Sequence, residues 1–95
     1  MREYELTLVI DPELTSENQK KLIAKIKKIT EEIKGTVKKV DEWGKKELAY
    51  PINKKKMGFY FMCDLQLTED KTEELSNKLK TEENILRFLI LKKGN

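Results

Sequence analysis

Cationic side chains are the groups in this sequence most able to do chemistry. Arg2, Lys45, Lys46, Lys54, Lys55, Lys56, Arg87, Lys92 and Lys93 fall at strand ends and connections of the pattern described below. Ammonium and guanidinium groups so placed can neutralise phosphates along one side of a domain. Arg87 carries more weight than any single lysine, because it interrupts the otherwise apolar run Ile85 to Leu91. A guanidinium there can fork onto a phosphate or stack on a base, or it can pair with a carboxylate on a neighbouring strand, for which Glu3 and Glu5 are the candidates.

Catalytic chemistry has little to work with. The chain contains no histidine, which removes the commonest general base and the commonest metal ligand. The acidic pairs Glu31-Glu32, Asp41-Glu42, Glu73-Glu74 and Glu82-Glu83 put neighbouring carboxylates in different directions, and read as solvated faces. Cys63 sits in an apolar run with nothing cationic beside it in sequence, so a packed thiol is expected rather than a reactive one. No phosphate-binding glycine loop, nucleophile elbow or metal-ligand spacing is present. The expected cofactor set is empty, with no small-molecule substrate, and the chain reads as a non-enzyme.

Charge is unevenly distributed. The net charge of +3 is mild, yet residues 34–56 hold eight lysines against Asp41, Glu42 and Glu47, a local surplus of +5, so the rest of the chain nets −2. At 95 residues one domain spanning 1–95 is expected, with a lean core because charged residues (39%) match hydrophobic ones (38%) in number. A lone cysteine suits a reducing cytoplasm, and no apolar run is long enough to span a bilayer, so a soluble cytoplasmic protein with no membrane partner is expected.

The elements that must position these cations follow from periodicity. Tyr4, Leu6, Leu8 and Ile10 alternate with Glu3, Glu5, Thr7 and Val9 as a strand, which Asp11-Pro12 ends. Ser16 and Gln19 resemble a capping box, and Leu22, Ile26, Ile29 and Ile33 recur at helical spacing. Gly35 stands where a helix end wants a left-handed residue. Val37 and Val40 open a second strand whose alternation fails from Asp41 to Gly44, so a bulge or bend is expected near Gly44 before Leu48, Tyr50 and Ile52 resume. Pro51, which has no N–H to donate, marks this as an edge strand.

Asn53 to Lys56 reads as a hairpin connection into a central strand from Phe59 to Leu67, with Phe61, Cys63, Leu65 and Leu67 on one face and Tyr60, Met62, Asp64 and Gln66 on the other. Thr68 is the expected N-cap of a helix with Leu75 and Leu79 as its apolar stripe, and Ile85 to Leu91 closes the fold as a strand before Lys92, Lys93 and Gly94. The order βαββαβ predicts an α+β, ferredoxin-like domain: a four-stranded antiparallel sheet with both helices on one face and the other face open.

An open face with Lys56-Met57-Gly58-Phe59-Tyr60-Phe61 on its third strand has features in common with RNA-recognition motifs. The alternation, however, turns Phe61 to the core and leaves Tyr60 alone for stacking, a role to be weighed against simple shielding of the sheet. A single-stranded RNA-binding module is therefore the alternative reading. An acylphosphatase-like enzyme shares the topology, but Asp11-Pro12-Glu13 is acidic where its phosphate loop would stand.

The decapeptide Trp43-Gly44-Lys45-Lys46-Glu47-Leu48-Ala49-Tyr50-Pro51-Ile52 closely resembles the bacterial small-subunit ribosomal protein six family, as do Met1-Arg2-Tyr4-Glu5, Gly58-Phe59-Tyr60 and Ile85-Leu86-Arg87 in order and spacing. This resemblance spans Met1 to about Lys93. It implies a ferredoxin-like, rRNA-binding component of the small ribosomal subunit that binds the central domain of small-subunit rRNA with a partner, ribosomal protein eighteen. By position in the family pattern, Arg2, Arg87 and Lys92 become expected RNA contacts, followed by Lys45 and Lys46 and by Lys54, Lys55 and Lys56. Trp43, Leu48 and Tyr50 become expected partner-side residues, Leu48 and Tyr50 being mainly structural. The long C-terminal extension of many relatives is nearly absent after Lys93.

Overall fold

The structure is a computed structural model and describes residues 2–52 and 54–93. Met1 of the family-like opening, Asn53 of the expected hairpin connection and Gly94 of the expected tail lie outside the described residues, as does Asn95. The elements are β1 (Arg2–Ile10), α1 (Ser16–Glu32), β2 (Thr36–Ile52), β3 (Lys55–Leu67), a 3-10 turn (Glu69–Lys71), α2 (Thr72–Leu79) and β4 (Ile85–Lys92). The sheet order is β2-β3-β1-β4 with every pairing antiparallel, the expected ferredoxin-like arrangement. No helix among the described residues is long and apolar enough to cross a membrane.

Alternation on β1 and β3 builds the core. Tyr4, Leu6, Leu8 and Ile10 meet Phe61, Cys63, Leu65 and Leu67 on the face covered by Leu22 and Ile26 of α1 and Leu75 and Leu79 of α2. Burying a leucine such as Leu6 or Leu65 completely contributes about 1.5–3 kcal/mol, so these two central strands and the two helix stripes carry most of the apolar stabilisation. Periodicity of apolar residues alone does not reveal Thr30, which is fully buried because its hydroxyl donates to the Ile26 carbonyl at 2.8 Å.

Three local expectations shift. The N-cap of α1 is Thr15, whose hydroxyl accepts from the Asn18 N–H at 3.1 Å, while Ser16 is the first helical residue. Gln19 instead turns inward and donates to the Leu14 carbonyl. Lys34, at φ 69°, takes the left-handed position after α1. Gly35 is required for a different reason: a Cβ there would stand 2.9 Å from both the Gln66 carbonyl oxygen and Thr30 Cγ2. Thr68 caps only the 3-10 turn that precedes α2, without a side-chain bond to the backbone, and its hydroxyl acts chiefly on Asp70, holding that carboxyl below its ordinary value.

β2 is the irregular strand. Against β3 it inserts Lys38 as one extra residue and Trp43 as another, the latter beside Gly44 at φ 86°, where the bulge was expected. A larger shift follows. Glu47 pairs with Met57 and Ile52 with Lys55, so Leu48, Ala49, Tyr50 and Pro51 stand opposite Lys56 alone. Those four residues leave the ladder, and Pro51 with no N–H to donate fits that departure.

Candidate nucleic-acid interface

The departing segment folds over the open face of the sheet. Leu48 approaches Gly58 on β3, where a Cβ would stand 3.6 Å from Leu48 Cδ2 and 2.5 Å from Val9 Cγ1. Only glycine permits that closeness. Val9, whose side chain belongs to the open face, is consequently buried, in contrast to half-buried Glu5 and Thr7 further along the same face. The face expected to be open is thus covered at one end by its own β2 segment.

Tyr50 spans the rest of the distance. Its hydroxyl accepts a hydrogen bond from the Arg87 guanidinium at 2.7 Å, and the guanidinium carbon lies 5.7 Å from the Tyr50 ring centroid, within cation–π range. These residues come from the two edge strands of the sheet, β2 and β4. The alternative role for Arg87, an ion pair with Glu3 or Glu5, does not form. Arg87 stands opposite Val9 on β1, which puts Glu5 four residues and Glu3 six residues down the strand, about 13 and 20 Å away. Glu3 pairs with Lys38 instead.

The partner of Arg87 is neutral, and that decides its electrostatics. A phenol orients the guanidinium through one donor and one ring face while leaving its charge uncompensated and its other N–H groups available. Across the sheet from Arg87, on the hairpin of β2 and β3, Lys45 pairs with core-facing Phe59 and lies 5.9 Å from its ring centroid, and exposed Lys46, Lys54 and Lys56 make no ion pair among the described residues. Lys54 adopts φ 66° in the turn between β2 and β3. Lys55 differs from its neighbours: its ammonium bridges Asp11 and Glu13 in the loop after β1, and the hydrogen bond to Glu13 foremost raises its pKa. Lys55 therefore fastens the hairpin to the β1–α1 loop.

Arg2 and Lys92 do not join this group. Lys92 stands opposite Tyr4, five residues along β1 from the Val9–Arg87 pair, so the expected cations divide between two ends of the sheet about 17 Å apart. At the Arg2 end Lys92 bonds Glu69 at 3.2 Å and Lys93 bonds Asp64 at 3.3 Å. Arg2 is exposed and makes no ion pair among the described residues.

Between the ends, the open face carries residues that the sequence reading passed over. Leu89 and Leu91 are 53% and 49% exposed, opposite Thr7 and Glu5 respectively. Trp43 at 52% and Tyr50 at 56% are the other large exposed apolar side chains among the described residues. The signal for the leucines was present: β4 is apolar at nearly every position, and an edge strand of a sheet with one open face must then expose half of them. Tyr60 is half-buried between its pairing partners Val9 and Gly44, so its own ring is partly covered and, with Tyr50 engaged by Arg87, the described residues set no row of free stacking aromatics on the open face. Burial pushes the Cys63 thiol up to about 11, which keeps it protonated at neutral pH and matches a packed role.

Comparison with known proteins agrees with the decapeptide and with this geometry. The family model described as Ribosomal protein S6 matches residues 3–92. Small ribosomal subunit protein bS6 of Caldanaerobacter subterraneus is 38% identical over 92 residues, covering 97% of each chain. The bS6 protein of Corynebacterium urealyticum is 39% identical over 93 residues, covering 98% of each. Among solved structures, 30S ribosomal protein S6 from Thermotoga maritima superposes with a TM-score of 0.89 at 30% identity, covering 97% of this chain and 87% of that one. These relatives are structural ribosomal proteins and not enzymes. A match of this breadth, on a ferredoxin-like sheet, means that the chain belongs to the ribosomal protein S6 family of the small ribosomal subunit.

Proposed function

We propose that this chain acts as one ferredoxin-like domain in the cytoplasmic small ribosomal subunit, holding the central domain of its rRNA together with ribosomal protein eighteen. The observation that carries the RNA assignment is the Arg87–Tyr50 contact, which orients a guanidinium without neutralising it. Phosphate then meets a cation already fixed in place, and Lys45, Lys46, Lys54 and Lys56, across the sheet on the hairpin of β2 and β3, offer further cations to the same RNA. Lys55 has a structural part in this reading, as the tie between hairpin and loop. Arg2 and Lys92 form a secondary contact at the far end of the sheet, weakened because Lys92 already faces Glu69.

The exposed apolar side chains supply the protein-facing surface. Trp43, as an extra residue of the bulge, projects from the edge of the sheet, while Tyr50, Leu89 and Leu91 offer apolar area on the open face. Leu48 supports that surface from beneath by packing near Gly58. The mechanism is assembly: cations fix the RNA backbone, and apolar contact with the neighbouring protein adds affinity that phosphate contacts alone do not provide.

Binding to a central-domain rRNA fragment, measured with ribosomal protein eighteen present and over a range of salt concentration, tests the reading. Affinity falls steeply as salt rises, and replacing Arg87 by Ala weakens it further. Salt-insensitive binding, or an Arg87→Ala variant that binds like the parent, rejects the proposal. Tyr60→Ala separates it from the single-stranded RNA alternative. Loss of binding to a short unstructured oligonucleotide, where stacking contributes roughly 1–3 kcal/mol per base, would favour that alternative.

A further inference from the structure

The strand registers set the side chains of the open face in rows. One row runs Lys39, Asp64, Glu5 and Leu91 from β2 to β4, and the next runs Asp41, Met62, Thr7 and Leu89. Rows of this kind lie about 7 Å apart, and neighbours within a row have Cβ atoms about 4.5–5.5 Å apart. These two rows occupy the centre of the face, between the row that holds Arg87 and the row that holds Glu3.

One carboxylate among them is left uncompensated. Asp64 takes Lys93 at 3.3 Å and Asp41 takes Lys39 at 3.6 Å, while Glu3, next to Glu5 on the same face of β1, takes Lys38 at 3.6 Å. Glu5 makes no ion pair among the described residues. It is half-buried, with Asp64 directly opposite on β3 and exposed Leu91 directly opposite on β4. Like charges directly opposite each other destabilise a sheet, so the fold by itself gives no reason for a carboxylate at position 5. Beside Glu5 the face is apolar: Leu91 and Leu89 are exposed, and the Thr7 hydroxyl donates to the Met62 sulfur at 3.5 Å.

We propose that the centre of the open face takes a basic segment of a neighbouring polypeptide, which sets an arginine on Glu5 and apolar side chains on Leu89 and Leu91. A guanidinium fits because it is planar and weakly hydrated: it forks onto the Glu5 carboxylate, lies against Leu91 and comes within one strand spacing of Asp64. An ammonium, compact and strongly hydrated, matches this half-buried setting less well. Phosphate is repelled by Glu5 and gains nothing from exposed leucine, so the centre favours protein over RNA. The proposal rests on the reading that this face meets a neighbouring protein, and adds the cation which that protein must bring.

Ribosomal protein eighteen is the probe, titrated calorimetrically into the full chain over a salt series. Glu5→Gln should bind it at least about tenfold more weakly, a factor that corresponds to about 1.4 kcal/mol, and with a smaller salt dependence than the parent. Glu3→Gln removes a carboxylate already answered by Lys38 and should bind within about twofold of the parent. Urea denaturation separates docking from folding, because Glu5→Gln relieves the repulsion from Asp64 and should be at least as stable as the parent. A parent chain that does not bind protein eighteen at all rejects the partner reading and this proposal with it. A parent that binds, with Glu5→Gln binding equally, Glu3→Gln weakened as much, or Glu5→Gln less stable, overturns this proposal alone. Amide shifts over Glu3 to Thr7 and Leu89 to Leu91 that arise with an oligouridylate and not with protein eighteen would assign the centre to RNA and overturn it. A parent dimer that Glu5→Gln dissociates would assign it to a second copy, with the same consequence.

Discussion

The two ends of the sheet treat their cations in opposite ways. At the Arg2 end, carboxylates answer the lysines: Lys92 faces Glu69 and Lys93 faces Asp64, in exposed pairs of the kind that contribute about 0–1 kcal/mol. At the Arg87 end the guanidinium rests on a neutral phenol, and the hairpin lysines across the sheet, Lys55 excepted, make no ion pair among the described residues. Compensated charge keeps a surface soluble and quiet. Positioned and uncompensated charge is what a phosphate backbone recognises, so a count of Lys and Arg does not by itself rank two binding surfaces.

The largest test of this contrast is Arg87→Ala. Removing one charge-assisted contact should weaken binding to the rRNA fragment by about 1.5–3 kcal/mol and lower the slope of log K against log salt by about one, read by filter binding over a salt series. An unchanged slope would mean that Arg87 serves only the fold. Gly58→Ala comes next, because its Cβ would stand 2.5 Å from Val9 Cγ1, and relieving that clash requires Val9, and with it β1, to shift. A loss of about 1–3 kcal/mol in urea denaturation is expected, whereas a neutral result would mean that the close approach at Gly58 relaxes freely.

Smaller effects distinguish orientation from charge. Tyr50→Phe keeps the ring beneath Arg87 and removes the hydroxyl acceptor, so RNA affinity should fall by about 0.5–1.5 kcal/mol with the salt slope intact. A changed slope would instead place Tyr50 in the electrostatics. Least affected should be Lys92→Ala, whose charge already faces Glu69, with a change of about 0.5 kcal/mol or less in the same binding assay. Were Lys92→Ala to match Arg87→Ala, the contrast between the two ends would collapse.

Much of the fold was legible from residue order. Tyr4, Leu6, Leu8 and Ile10 on β1, and Phe61, Cys63, Leu65 and Leu67 on β3, sit where their alternation puts them, since a period of two admits one face in the core and a slip would expose every one of them. The bulge at Gly44 was legible for the complementary reason, that alternation failed there. Caps were less readable. Thr15 and Ser16 are adjacent hydroxyls, and only backbone geometry decides which of them meets the Asn18 N–H.

The candidate site was legible as a list and not as an arrangement. Arg2, Lys92 and Arg87 were recognised together, but the β1–β4 register separates them, and no spacing in the sequence encodes that distance. Lys55 reads like Lys54 and Lys56 until the loop after β1 brings Asp11 and Glu13 to it. Leu89 and Leu91 were read as strand residues, and their exposure follows from β4 being an edge.

The sequence by itself determined the element order, the composition of the core, the basic segment and, through the Trp43 to Ile52 decapeptide, the family. Those are properties of local order, fixed by periodicity and by residue type. Only the tertiary structure decided that Leu48 to Pro51 leave the ladder, that Tyr50 crosses to Arg87, and that one end of the sheet keeps its charge while the other neutralises it. Partnership between residues 37 positions apart depends on strand register and chain curvature, which arise when the whole sheet packs and are written in no single stretch of the chain.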